Sequence, residues 1–435
     1  MQRTLATAAG TIVVQEDHGL LRAQGLTYGT ADTFAAPRPV AIRTNPIDAT
    51  RPGPACPQLP SRLDAVTGPI AETLRQSEDC LVLSVTAPVD ACALPVMVWF
   101  HGGAYMSGGG ESAKYDPGAL AREGRVVVVN VTYRLGIFGY LTPEPISGEE
   151  NLGLQDQILA LRWVQANIAA FGGDPANVTA FGQSAGADSV LSLMLCEQAD
   201  GLFHRAILQS APLRLRENRD AMTSAMRRAV TDALSTSPHE ATVEQLLTAQ
   251  AAATTAAQQF GALGGLPFAP ILGHGPLPSL SEVPARLADA ASRVELLLGH
   301  TEHDAAPFVA MTPLAIALAR LGVVGRAANR RVSVAVTERV FGAPARQLAR
   351  TWSANGGQSA TYRFDWAPSD TVLGACHCIE LPFLFGAPSA WSDAPMLGTA
   401  ESPIDERLAT RMRWCWAQFA HLGVNSLESR SLQFP

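Results

Sequence analysis

The sequence has no dense run of lysine and arginine, and 32 basic against 39 acidic residues leave a net charge of −7. Binding of nucleic acid or of an anionic membrane surface is therefore not indicated, and a small-molecule or neutral substrate fits better. Long apolar runs are missing too: the longest, Val126 to Leu141, is broken by Asn130 and Arg134 and falls short of a membrane span. Residues 1–10 carry Arg3 but no apolar h-region, so no signal peptide is read there and a cytoplasmic protein is expected. The seven cysteines include no Cys-x-x-Cys pair, which argues against a structural zinc site. With no internal repeat and no long linker, one domain covering 1–435 is expected.

What is present is a chain 47% hydrophobic, ample for a large core. Residues 11–45 alternate short apolar runs with Gly and Pro, as a small antiparallel ribbon would. Strands are read at 78–85, 95–100, 126–131, 178–183, 203–210, 294–298 and 360–366. Apolar positions at helical spacing mark a helix over 154–171, stopped by Gly172-Gly173-Asp174-Pro175. Further helices are expected over about 216–257, 313–355 and 403–421. Strands alternating with helices predict an α/β fold with a mostly parallel sheet covered on both faces.

The chain turns on Val178-Thr179-Ala180-Phe181-Gly182-Gln183-Ser184-Ala185-Gly186. A strand meeting Gly-x-Ser-x-Gly and then a helix is the layout of a nucleophile elbow, with Ser184 held out at the strand end and the helix N-terminus aimed at the same spot. A serine hydroxyl needs a base, the base an orienting acid, and the tetrahedral oxyanion a set of N–H donors. His101-Gly102-Gly103-Ala104 leaves another strand end with two glycines and a small residue. The N–H groups of Gly103, Ala104 and Ala185 would form a three-donor oxyanion hole. A phosphate-cradling loop is the rival reading, but no Lys-Ser/Thr follows.

Several runs together carry a resemblance. They are residues 95–108, Glu78-Asp79-Cys80-Leu81, Asn130-Val131-Thr132-Tyr133-Arg134, Asn151-Leu152-Gly153-Leu154-Gln155-Asp156-Gln157, Phe171-Gly172-Gly173-Asp174-Pro175 and Leu202-Phe203-His204-Arg205-Ala206. The sequence resembles the type-B carboxylesterase and cholinesterase-like family of α/β-hydrolases, in its bacterial para-nitrobenzyl-esterase-like branch. The likeness is dense over about 77–210 and returns around 294–308 and 374–386. It implies the α/β-hydrolase fold with Ser184 as nucleophile. The family's acid loop falls on Gly299-His300-Thr301-Glu302-His303-Asp304-Ala305, which implies Asp304 as the acid, with Glu302 as rival. The base motif falls on Gly374-Ala375-Cys376-His377-Cys378-Ile379-Glu380-Leu381-Pro382 and implies His377.

The resemblance also exposes departures. Gln183 stands where relatives often have Glu, Cys378 where a Gly commonly follows the His, and Ala305 where a Gly follows the acid. Cys56 and Cys80 resemble the first disulfide loop of secreted relatives, with reduced thiols expected here. Arg134 and Asp156 resemble a structural ion pair. A metal at Cys376 and Cys378 is not expected, since nearby side chains diverge in an extended segment. The implied activity is carboxylic-ester hydrolysis through an acyl-enzyme, without a cofactor. An acyltransferase, amidase or carbamate hydrolase using the same triad is the alternative, and a non-catalytic binding module the more distant one. Tyr105, Met106 and Phe308 flank the predicted loops and are read as pocket residues or, equally, as core.

Overall fold

The computed structural model describes the 435-residue chain apart from residues 43, 144–149, 370, 387 and 399–403. Strands β1 (Gln2–Thr7), β2 (Gly10–Asp17) and β3 (Leu20–Thr27) form an antiparallel ribbon. Alternation decides its faces: Ile12 and Val14 are buried while Gln15 between β2 and solvent is exposed. The ribbon runs into β4 (Val82–Pro88), which pairs antiparallel with β3 and with β6 (Val127–Val131).

From β6 onward every pairing is parallel. The order is β6, β5 (Leu94–Phe100), β7 (Gly173–Gln183), β8 (Arg205–Gln209), β9 (Glu295–Thr301), β10 (Ser359–Phe364) and β11 (Ser431–Phe434). With the short Ile47–Asp48 strand beside β2, the sheet has twelve strands among the described residues. The centre is parallel because its strands are apolar on both faces: Val96–Phe100 and Val127–Val129 are buried, with helices to either side.

Register aligns the carboxyl ends of the central strands. Gly182 lies beside Phe100 on β5 and Leu208 on β8, and Gln209 lies beside Gly299 on β9. The segments that leave these ends, starting at His101, Ser184, Ser210 and Glu302, therefore share one rim of the sheet. In open parallel sheets this rim is where ligands bind.

Helix α1 (Leu152–Asn167) ends through a 3-10 turn to Phe171 and a left-handed Gly172, φ 78°, at the expected stop. Its Asp156 is buried and holds Arg134: Nη2 donates to Oδ1 at 2.7 Å and Nε to Oδ2 at 2.9 Å. This pair ties the loop after β6 to α1. Helix α2 (Ala185–Leu195) follows the elbow. The helical stretch expected over 216–257 is two helices, α3 (Asp220–Ala233) and α4 (Val243–Ala257). The break falls at Ser-Thr-Ser-Pro, and α4 begins on a capping box of Thr242 and Gln245. Helix α5 (Glu406–Leu422) starts on Asp405, which caps Arg407 and Leu408; the expected start at 403 lies outside the described residues. Strand β11, unforeseen in the sequence, closes the edge. Among the described residues no helix is long and apolar enough to cross a membrane.

Candidate active site

Ser184 sits between β7 and α2 at φ 57°, ψ −122°, a conformation that costs a non-glycine residue of order 1–3 kcal/mol. The turn is held from both sides: Ser184 N–H donates to the Gln209 carbonyl at 2.8 Å, and Asp188 N–H to the Ser184 carbonyl at 3.0 Å. The motif's glycines are there for clearance. A Cβ on Gly186 would stand 1.9 Å from the Phe100 carbonyl oxygen, and one on Gly182 would stand 2.5 Å from Gly186 carbon, all backbone that cannot yield. Only glycine lets strand and helix approach this closely.

The loop after β5 is equally constrained. Gly103 has φ 113°, and a Cβ there would meet the Ser107 carbonyl oxygen at 2.0 Å; Ala104 and Tyr105 follow at φ 56° and 59°. The Gly103 carbonyl accepts from Met106 and Ser107 N–H. The N–H groups of Gly103 and Ala104 have no acceptor among the described residues, and that of Ala185 is the first of a helix, which has no intrahelical partner. His101 braces the loop from beneath: its ring stacks on Tyr133 at 4.5 Å, and Nδ1–H donates to the Gly102 carbonyl at 2.8 Å. Burial holds its pKa down to about 4, so it is neutral at working pH.

Acid and base loops are joined by backbone. His303 bridges Cys376 in parallel fashion, and His303 N–H donates to the Ala375 carbonyl at 2.9 Å. That contact sets His377 beside Asp304, with Nδ1 2.5 Å from Oδ1 and both side chains fully buried. The second oxygen, Oδ2, accepts from Ser210 Oγ at 2.6 Å and Thr301 N–H at 3.1 Å. These donors fix the orientation of the carboxyl group, so Oδ1 is turned to His377 and anchors the imidazole proton on Nδ1. Glu302, the rival acid, points outward with its side chain 41% exposed and lies 3.5 Å from His303 instead.

At His377 Nε2 the structure departs from the expected triad. No described hydrogen bond joins it to Ser184; the Gln183 amide Nε2 lies 3.2 Å away and donates to it. The Cys378 thiol points at the other end of the same amide, 3.5 Å from Oε1, and Cys378 adopts φ 73°. Burial pushes the Cys376 and Cys378 thiols well up, so they stay protonated. Among the described residues no cluster of three metal-binding side chains occurs. Cys56 and Cys80 are buried and unbridged.

Four polar residues of the site were not singled out in the sequence for what they touch here: Gln183, Ser210, Gln209 and Glu380. Burial, then the charge of Asp304, pushes Glu380 up to about 8, so it is a neutral acid at pH 7. Its Oε1 accepts from Gln209 at 3.3 Å, and Gln209 in turn accepts from the Trp416 indole at 3.2 Å. Gln183 stands out in the sequence as a departure from relatives and Glu380 lies inside the base motif, whereas Gln209 and Ser210 show only as the end of a strand.

For Tyr105 the structure corrects the pocket reading in favour of core. It is fully buried, and its hydroxyl donates to Asp188 Oδ2 at 2.7 Å beneath α2, because the left-handed turn at 104–105 drives it inward. Phe308 packs edge-on against the His377 ring at 5.1 Å. Two cavities flank the loop that follows β5. One of about 420 Å³ is lined by Gly102, Gly103, Gln183 and Cys378, the other of about 350 Å³ by Gly103, Ala104, Met106 and Gln250. A larger cavity of about 770 Å³ lies against α1 and holds none of the candidate catalytic residues.

A mostly parallel sheet with helices, and a strained serine at its carboxyl rim, defines an α/β-hydrolase. The chain belongs to the carboxylesterase family, whose model matches residues 25–320 and 324–435, and it is a serine carboxylesterase. It is 39% identical to the probable N-octanoylanthranilate hydrolase of Rhodococcus erythropolis, over 92% of this chain and 88% of that one. It is 34% identical to the para-nitrobenzyl esterase of Bacillus subtilis, over 98% and 91%. Among solved structures, a thermophilic PNB esterase superimposes with a TM-score of 0.82 at 32% identity, over 98% of this chain and 92% of that one.

Proposed function

We propose that Ser184, His377 and Asp304 carry out the ester hydrolysis. Asp304 keeps the ring proton on Nδ1, which leaves the Nε2 lone pair as the base. The Gln183 amide must yield that lone pair to the Ser184 hydroxyl as substrate binds. Ser184 then attacks the ester carbonyl, its proton passes to Nε2, and the resulting imidazolium is stabilised by Asp304. The oxyanion is held by the N–H groups of Gly103, Ala104 and Ala185. Nε2–H protonates the departing alcohol, and water repeats the sequence on the acyl-enzyme. The observation that carries this reading is the buried 2.5 Å contact between His377 and Asp304 on the same rim as the strained Ser184.

Small-molecule esters are the substrate class. A second reading, amide hydrolysis by the same residues, is favoured by one observation: a relative covered over most of its length is named as an N-octanoylanthranilate hydrolase. Ser184→Ala is expected to lower kcat on a p-nitrophenyl ester by about 10⁴ to 10⁶ with the fold intact. Turnover within tenfold of the parent would refute the assignment. Comparing an ester with its matching anilide separates the two readings.

A further inference from the structure

The two cavities beside the oxyanion loop carry opposite charge. The acidic residues lining the first are Asp64 and Glu72; the basic residue lining the second is Arg62. They share Leu59, Pro60, Ser61, Leu63, Gly103 and Ser107, so the loop from 59 to 64 sends its cation and its carboxylate to different sides.

Arg62 has no carboxylate partner among the described residues. Its guanidinium donates to the Gly265 carbonyl and lies over the Phe308 ring, 5.6 Å from the centroid. Phe308 is one of two rings packed on His377, the other being Phe341, which puts this cation one aromatic side chain from the base. The residue remains open to solvent, yet its surroundings are dense enough that burial alone lowers its pKa, with no acidic neighbour to offset the effect. Its one described hydrogen bond leaves other N–H donors of the guanidinium unused at the cavity wall, and carboxylate is the group that fork geometry matches. Leu59, Pro60, Met106 and Pro267 give the wall an apolar part for the substrate body, alongside the polar Gln250, Thr254 and Gln258 that also line it.

We propose that Arg62 recognises a carboxylate on the substrate, so that the preferred substrates are anionic esters or amides whose charged group occupies the cavity beside Ala104. This rests on the catalytic reading above and specifies its substrate class.

The test uses two substrate pairs, each with one reacting bond and one difference in charge. On the acyl side they are mono-p-nitrophenyl glutarate and the p-nitrophenyl ester of glutaramic acid, its primary amide; on the alcohol side, 2-butyryloxybenzoate and 2-butyryloxybenzamide. The readout is the ratio of kcat/KM for the anionic member over the neutral one. In the parent enzyme at least one pair should favour the anion, and the advantage should shrink as salt is raised. Arg62→Gln should cut that ratio by about tenfold, with partial recovery in Arg62→Lys. Should Arg62→Gln fail to fold, competitive inhibition of the parent enzyme by benzoate against benzamide asks the same question. A ratio near one in both pairs, or a ratio unmoved by Arg62→Gln, overturns the proposal. If no member of either pair is turned over and Ser184 takes no covalent label, it is the catalytic reading that has failed.

Discussion

Replacing Asp304 with asparagine tests the acid's role at a place where the geometry dictates the outcome. Both oxygens of Asp304 are in use: Oδ1 faces His377 Nδ1, while Oδ2 faces Ser210 Oγ and Thr301 N–H. The asparagine must therefore turn its NH₂ to one side. Toward Thr301 it meets a backbone N–H that cannot rotate away, a buried donor-to-donor contact costing about 1–3 kcal/mol. Toward His377 the conflict disappears if the ring moves its proton from Nδ1 to Nε2, and Ser210 Oγ and Thr301 N–H go on donating to the amide oxygen. The second arrangement wins, and it leaves Nε2 carrying a hydrogen and unable to take the Ser184 proton. The same substitution in a serine-protease triad lowers kcat by about 10⁴. We expect a loss of about 10³ to 10⁴, or roughly 4–5.5 kcal/mol of barrier, with little change in melting temperature. Steady-state hydrolysis of a p-nitrophenyl ester measures it. Glu302→Gln, at a side chain facing solvent, should stay within about twofold. An Asp304→Asn enzyme within tenfold of the parent, or a Glu302→Gln enzyme equally damaged, would refute the reasoning.

The contact between Gln183 and His377 makes a second prediction. A carboxylate 3.2 Å from Nε2 would favour the charged ring, so Gln183→Glu should move the acid limb of the kcat/KM profile to higher pH, by about 1–2 units after screening; an unmoved limb would show that this amide does not address the base. A third concerns stability. Glu111 is buried, accepts from Gly25 N–H at 3.0 Å, and burial pushes it up to about 7 from 4.5. A folded-state value above the unfolded one means the native protein binds the extra proton. Stability is therefore full below about pH 4.5 and is lost as pH rises through about 7, by about 3 kcal/mol in all. Glu111→Gln should flatten this part of the melting-temperature profile, and an identical slope in parent and variant would contradict it.

Much of this was legible in the sequence where chemistry or close packing leaves one solution. Gly182 and Gly186 could be read as an elbow because backbone approaches where any Cβ would stand, and the valine-rich 126–131 run as a parallel strand because it has no polar face. That strand still pairs antiparallel on its other side, with β4, since the ribbon enters the sheet there. Strand β11 was hidden because four edge residues show no pattern that a tail lacks. Tyr105 stays open between pocket and core in the sequence because its direction depends on two left-handed residues in succession, invisible in side-chain type. Ser210, Gln209 and Glu380 are polar residues defined by what faces them across the sheet. Their partners lie 94 to 207 positions away, beyond any local pattern.

The central claim is that one serine hydroxyl becomes acylated. The direct measurement is peptide mass mapping after inactivation with a p-nitrophenyl organophosphate, with activity followed in parallel. One phosphoryl adduct on Ser184, formed in step with loss of hydrolysis and absent from Ser184→Ala, is the predicted result. Full inactivation with the adduct on another residue, or unimpaired hydrolysis by an enzyme modified at Ser184, would contradict the account.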